Sequence, residues 1–170
     1  KELDTIQPAA LSAAERINYA VYRAQIASLH DALRYREYEQ PVNADTAFWT
    51  DVTYGARRAF SSPDDYRNYL RQLDALPRYF DEEIGNMRAG LARGFTPPKV
   101  TLAGRDSTLL SVTDAKSPQD TVFYTPFKQM PSTIPAAEQD ALRAQALAAI
   151  RDKVQPAHAK VLAFFRDEYV

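Results

Sequence analysis

The sequence predicts an all-α fold: an irregular bundle of about five or six helices with two long irregular loops and no significant sheet. Apolar residues recur at spacings of three and four over most of the chain, the period of one helix face. Helix punctuation is dense, with a capping box, prolines at helix starts and glycine at a helix stop. No stretch sustains the apolar–polar alternation of a half-buried strand.

After a short lead-in over residues 1–10, Ser12-Ala-Ala-Glu15 forms a capping box that opens a helix reaching to about Tyr38. Ile17, Val21, Ala24 and Ser28 lie at helical spacing, and the alanines beside them suit a close-packed face. Pro41 to Phe60 has no sustained period. It holds Phe48, the sole tryptophan Trp49 and the pair Arg57-Arg58, and reads as an ordered loop plugging the end of a bundle.

The chain is organised around Ser62–Lys99. Ser62 suits an N-cap, Pro63 the first helical position, and Asp64 and Asp65 the positive helix end. Tyr66, Tyr69, Leu70, Leu73 and Leu76 make one apolar stripe; Phe80, Ile84, Met87 and Leu91 make the next. Pro77 between them predicts a kink or a fresh helix start. Gly94 reads as the stop, with Gly90 and Gly94 allowing another backbone close by. Pro97-Pro98 starts a third helix over about Pro97 to Ser111, with Val100, Ala103 and Leu110 on one side. Asp114 to Pro131 is a second irregular segment with a short extended piece near Thr121–Tyr124. From Pro135, Leu142, Ala146, Ala149, Ile150 and Val154 give a buried face. Pro156 interrupts it, and Val161, Leu162, Phe165 and Tyr169 carry it on.

Composition excludes several functions. With 170 residues and 45% hydrophobic content the chain can bury a core as one domain. A formal charge of -1 argues against a nucleic-acid partner, which needs a concentrated basic face. No apolar run approaches a membrane span of ~20 residues. The lack of cysteine removes disulfides, thiolate zinc sites and cysteine nucleophiles together.

Few residues offer chemistry. The two histidines, His30 and His158, have no partner at metal-binding spacing and read as surface or satisfied core groups. Asp81-Glu82-Glu83 reads as a solvated face early in a helix rather than an acid–base pair. Ser61, Ser62 and Ser107 lack a nucleophile-elbow context. Arg57, Arg58, Arg88, Arg93 and Lys99 suit a substrate carboxylate; Arg93 and Lys99 are the candidate substrate-binding residues because they flank the glycine–proline turn. No catalytic residue and no metal ligand is assigned.

Several motifs in order resemble the bacterial "domain of unknown function 885" family. They are Leu11-Ser12 and Arg36-Glu37, Leu73-x-x-Leu-Pro77, Met87-Arg-x-Gly90-x-x-x-Gly94-x-x-Pro97-Pro98, Tyr124-x-Pro126-Phe127, Val154-x-Pro156-Ala157 and Phe165-x-x-Glu168-Tyr169. The Asn43–Arg58 loop departs from the glycine-containing version of that family. The resemblance implies a longer, mostly helical zinc metallopeptidase whose His-Glu-x-x-His motif lies in a C-terminal half. This chain has no such motif. It is therefore expected to be the N-terminal helical domain of a zinc-dependent peptidase or hydrolase, spanning 1–170. It would form a cleft wall without itself being catalytic, and any zinc would sit outside it. The expected partners are the C-terminal remainder of its own chain, a peptide substrate, or a second copy on an orphaned face; the resemblance leans towards an exported, periplasmic protein. The alternatives are a stand-alone helical binding or scaffold module, and a small-molecule pocket lined by Phe48, Trp49 and Tyr124.

Overall fold

The computed structural model describes residues 2–170 and is all-α. Among the described residues the only β pairing is an isolated bridge between Val42 and Ala47. The chain forms two compact units, one reaching to Tyr38 and one spanning Glu39–Val170.

The first unit is built on α1 (Ala13–Arg34), preceded by two short 3-10 turns. The Ser12 capping box is present: the Glu15 N–H donates to Ser12 Oγ at 3.4 Å, and the Ser12 N–H to Glu15 Oε2 at 2.8 Å. Within the unit the Tyr19 hydroxyl donates to the Leu3 carbonyl at 3.1 Å, and Arg23 pairs with Asp4 at 3.4 Å. The helix stops short of the expected Tyr38. Tyr35 caps it and Arg36 turns the chain at φ 58. The expected close-packed face is corrected too, because α1 contains no buried residue. Even its large apolar residues Ile17, Val21, Leu29 and Leu33 are exposed, so the spacing records amphipathicity without burial.

The second unit holds the whole hydrophobic core. Its axis is α3 (Pro63–Ala92), capped by Ser62, and the helix runs unbroken through Pro77. A proline inside a helix costs about 3 kcal/mol. Against that, α3 buries nine residues, from Tyr66 to Gly90, each large one contributing about 1.5–3 kcal/mol. Burial therefore overrides the break expected at Pro77. Asp81-Glu82-Glu83 consequently lies within one continuous helix rather than near a helix start, and Asp81 pairs with Lys160 at 2.6 Å.

α2 (Phe48–Asp51) and a 3-10 segment, Val52–Arg57, form the aromatic plug expected of the first loop. Phe48 and Trp49 are buried, with edge-to-face contacts from Phe48 to Phe80 at 5.3 Å and from Trp49 to Phe165 at 5.3 Å. The Trp49 Nε1–H donates to Thr108 Oγ1 at 2.9 Å. Trp49→Phe removes that bond and leaves space in the core. Chemical denaturation should register a loss of about 2–3 kcal/mol.

In place of one third helix there are two short ones, α4 (Lys99–Leu102) and α5 (Ser107–Thr113), split where Gly104 takes φ +75. The side that packs is Leu102, Leu109 and Val112; Val100 and Ala103 are exposed. The piece expected to be extended near Thr121–Tyr124 is a 3-10 turn leading into α6 (Thr125–Lys128). α3 ties it down: the Tyr69 hydroxyl donates to the Phe123 carbonyl at 3.2 Å and the Tyr66 hydroxyl to the Pro126 carbonyl at 3.3 Å. Phe48, Trp49 and Tyr124 are core side chains rather than the lining of a pocket.

α7 (Ala136–Ala149), α8 (Gln155–Phe164) and the turn between them bury the expected face, including Leu142, Ala146, Ile150, Val154 and Val161. A π-helical turn, Ile150–Val154, joins them, with the Gln155 N–H bonded to the Ile150 carbonyl. Pro156 has no N–H to give, and the wider turn shifts the register just before it. A second π turn, Phe165–Tyr169, ends the chain's helical structure.

Candidate functional site

Two features of the second unit bring chemistry-bearing residues together. One is the end of α3. Gly94, at φ +71, is the left-handed residue of a Schellman stop: the Phe95 N–H donates to the Gly90 carbonyl at 2.9 Å, and the Gly94 N–H to the Leu91 carbonyl at 3.1 Å. A Cβ on Gly90 would lie 2.6 Å from the Glu39 carbonyl oxygen and 2.9 Å from that of Phe95. The Glu39 carboxylate, 2% exposed, accepts from the Arg93 guanidinium, which also lies over the Phe95 ring at 4.2 Å. Arg93 is thus engaged in a clasp that closes the helix end over Glu39. Lys99, the first residue of α4, is exposed and carries no ion pair among the described residues.

The other feature is a groove between the Val52–Arg57 segment and α3. Its larger hollow, about 520 Å3, is lined among others by Arg58, Asp65, Asn68, Arg71 and Gln72. An adjoining hollow of about 280 Å3 adds Asp51, Val52, Tyr54, Leu73 and Leu76. The two share Gly55, Arg58, Tyr69 and Gln72 and so form one trough. Gly55 keeps its floor low, since a Cβ there would meet the Tyr69 ring at 3.3 Å. Burial pushes the Tyr69 phenol up, which keeps it neutral as a donor to Phe123.

The charged groups of this trough differ in their freedom. One oxygen of Asp65 is saturated: Oδ2 accepts from the Ser61 and Ser62 N–H groups at 2.9 and 2.8 Å and from their hydroxyls at 3.1 and 2.9 Å. Those bonds, the Ser61 N–H foremost, hold its carboxyl at about 2. Ser61 and Ser62 are thus engaged at the capped start of α3. Arg71 is held by the neutral Asn68 amide oxygen, and Arg58 has no ion pair among the described residues. Arg57, by contrast, lies over the Tyr54 ring at 5.3 Å, and Arg88 forms a fork with Glu168 at 2.8 and 2.6 Å. Sequence reasoning named Arg58 but missed Arg71, Asn68 and Gln72. They fall on the polar face of α3 at i, i+3 and i+4, a pattern usually given to solvent.

Among the described residues no three of His, Cys, Asp and Glu come together to hold a metal. His30 is exposed beside Asp31, and His158 is buried with Nδ1 bonded to the Val154 carbonyl at 2.8 Å. No helix among the described residues is long and apolar enough to cross a membrane.

Over residues 1–170 the chain matches the family described as bacterial protein of unknown function, DUF885. The chain belongs to the DUF885 family. No curated protein and no solved structure matches it. The helix-end clasp gives physical content to the Met87–Pro98 motif by which the sequence resembles DUF885: Gly90 admits a backbone, Gly94 stops the helix, and Arg93 engages Glu39.

Proposed function

We propose that this DUF885 chain is the non-catalytic helical part of a zinc-dependent peptidase or hydrolase, and that its α3 surface forms the substrate side of a cleft. The observation that carries this reading is the trough along α3, which offers guanidinium and amide groups to a ligand but no nucleophile–base pair. The resemblance to His-Glu-x-x-His peptidases supplies the chemistry, with zinc held by residues outside this chain. Arg93 and Lys99 are a second, smaller cationic contact for substrate at the end of α3, with one third of the Arg93 side chain open to solvent.

Elemental analysis and a peptidase assay test this directly. The 170-residue chain should carry no stoichiometric zinc and cleave no peptide. One tightly held zinc per chain defeats the proposal, and so does a parent gene without a His-Glu-x-x-His helix after Val170. A stand-alone binding module is the second reading. It is favoured by one point: the trough is complete within residues 51–76 and borrows nothing from elsewhere.

A further inference from the structure

We propose that the α3 trough is a carboxylate site for the C-terminal residue of a short peptide, with Arg58 and Arg71 taking the carboxylate and an apolar side chain lying towards Leu73 and Leu76. This deepens the substrate-side reading and rests on it for its biological meaning.

The trough has two chemically different ends. Asn68 and Arg71 line only the larger hollow, whereas Val52, Leu73 and Leu76, with Tyr54 and Asp51 beside them, line only the smaller one. Arg58 and Gln72 stand where the hollows join. A ligand spanning both therefore meets cationic and amide groups at one end and an aliphatic wall at the other. The larger hollow, about 520 Å3, falls in the range of small-ligand sites, about 300–1,000 Å3, and the smaller one extends it.

The charges select the ligand. Among the described residues Arg58 and Arg71 have no carboxylate partner, so each guanidinium has donors for an oxyanion. Asp65 lines the larger hollow and Asp51 the smaller, so the formal charges of the trough sum to zero, but Asp65 Oδ2 is already engaged by Ser61 and Ser62. A carboxylate monoanion at the two guanidiniums meets less repulsion from these carboxylates than a phosphate dianion would. Gln72 adds an amide that can receive a peptide N–H or donate to a carbonyl. A lone carboxylate, a neighbouring peptide group and an apolar side chain together describe a peptide C-terminus.

The test uses the 170-residue chain and three probes: N-acetyl-alanyl-phenylalanine, its C-terminal amide, and inorganic phosphate. Binding is followed by NMR chemical-shift titration. The acid should bind with a dissociation constant of about 0.1–5 mM and shift Gly55 and Gln72 resonances, with the amide and phosphate at least about tenfold weaker. Arg58→Ala and Arg71→Ala should each weaken the acid about tenfold or more and leave the amide unchanged. Among the described residues Arg58 makes no ion pair, so its variant should melt with the wild type, which separates lost binding from lost folding. Arg151→Ala, whose partner Asp152 lies outside the trough, should bind normally. Equal affinity for acid and amide, tighter binding of phosphate, or wild-type affinity in Arg58→Ala overturns the proposal. Acid-selective binding with no downstream zinc motif leaves the carboxylate site standing and removes the peptidase assignment; a motif without such binding does the reverse.

Discussion

Gly90→Ala should destabilise the protein by about 2–4 kcal/mol, a large share of the total for a domain of this size. The added methyl would sit 2.6 Å from the Glu39 carbonyl oxygen and 2.9 Å from the Phe95 carbonyl oxygen. Both obstacles are backbone atoms, so no side chain can swing aside, and overpacking of this kind costs about 1–3 kcal/mol before anything else is lost. Moving Glu39 also disturbs its buried carboxylate against Arg93, and a disrupted buried pair adds to the penalty. The two other glycines of α3 and its stop serve as controls. Gly94→Ala meets no atom within 4 Å but must hold φ +71, a penalty of about 1 kcal/mol. Gly85→Ala meets nothing and lies mid-helix on an exposed face, so it should stabilise by about 0.5–1 kcal/mol. Urea midpoints of the three variants should therefore fall in the order Gly85→Ala, wild type, Gly94→Ala, Gly90→Ala. A Gly90→Ala midpoint at or above that of Gly94→Ala would mean that the close approach of Glu39 is not what the glycine serves.

That ordering marks how far the sequence could be read. The apolar stripes of α3, α7 and α8 were legible because burial there follows the helical period, residue by residue from Tyr66 to Met87. Of the two outcomes expected at Pro77, the fresh helix start does not occur, because nine buried residues favour continuation over the local propensity to break. Periodicity also failed over 97–111. A four-residue and a seven-residue helix carry too few turns to fix a face, so Val100 read as buried and is exposed. The candidate site was half legible. Arg58 stood out as part of a basic pair, but Arg71, Asn68 and Gln72 belong to the hydrophilic face of a helix. Only the placement of Val52–Arg57 alongside that face makes a trough of them. The partner of Gly90 was unreadable, since a backbone carbonyl more than fifty residues upstream leaves no trace in side-chain pattern.

Acidification from pH 7 to pH 4 should remove about 3 kcal/mol of stability through one residue, His158. Its ring is buried between the Phe80 and Phe123 rings, with centroids at 4.9 and 5.3 Å, and no carboxylate pairs with it among the described residues. A carbonyl only accepts, so the 2.8 Å contact with the Val154 oxygen fixes the proton on Nδ1 and leaves buried Nε2 as an unmatched lone pair. Burial pushes the imidazole down to about 4, although the Val154 bond works the other way. The unfolded chain takes up this proton near 6.5 and the folded one only near 4. Between those values the unfolded state binds more protons, so stability falls as pH falls and levels off below about 4. Asp65 acts in a separate window, losing its contribution between 3.8 and about 2, and Glu83, raised chiefly by burial, opposes the trend weakly. His158→Leu keeps an apolar side chain in the core and should change stability at pH 7 by no more than about 1 kcal/mol. Its urea midpoint should then change far less from pH 6.5 to pH 4 than that of the wild type, which drops. A variant curve running parallel to the wild type across that window would place the acid-sensitive group elsewhere in the core.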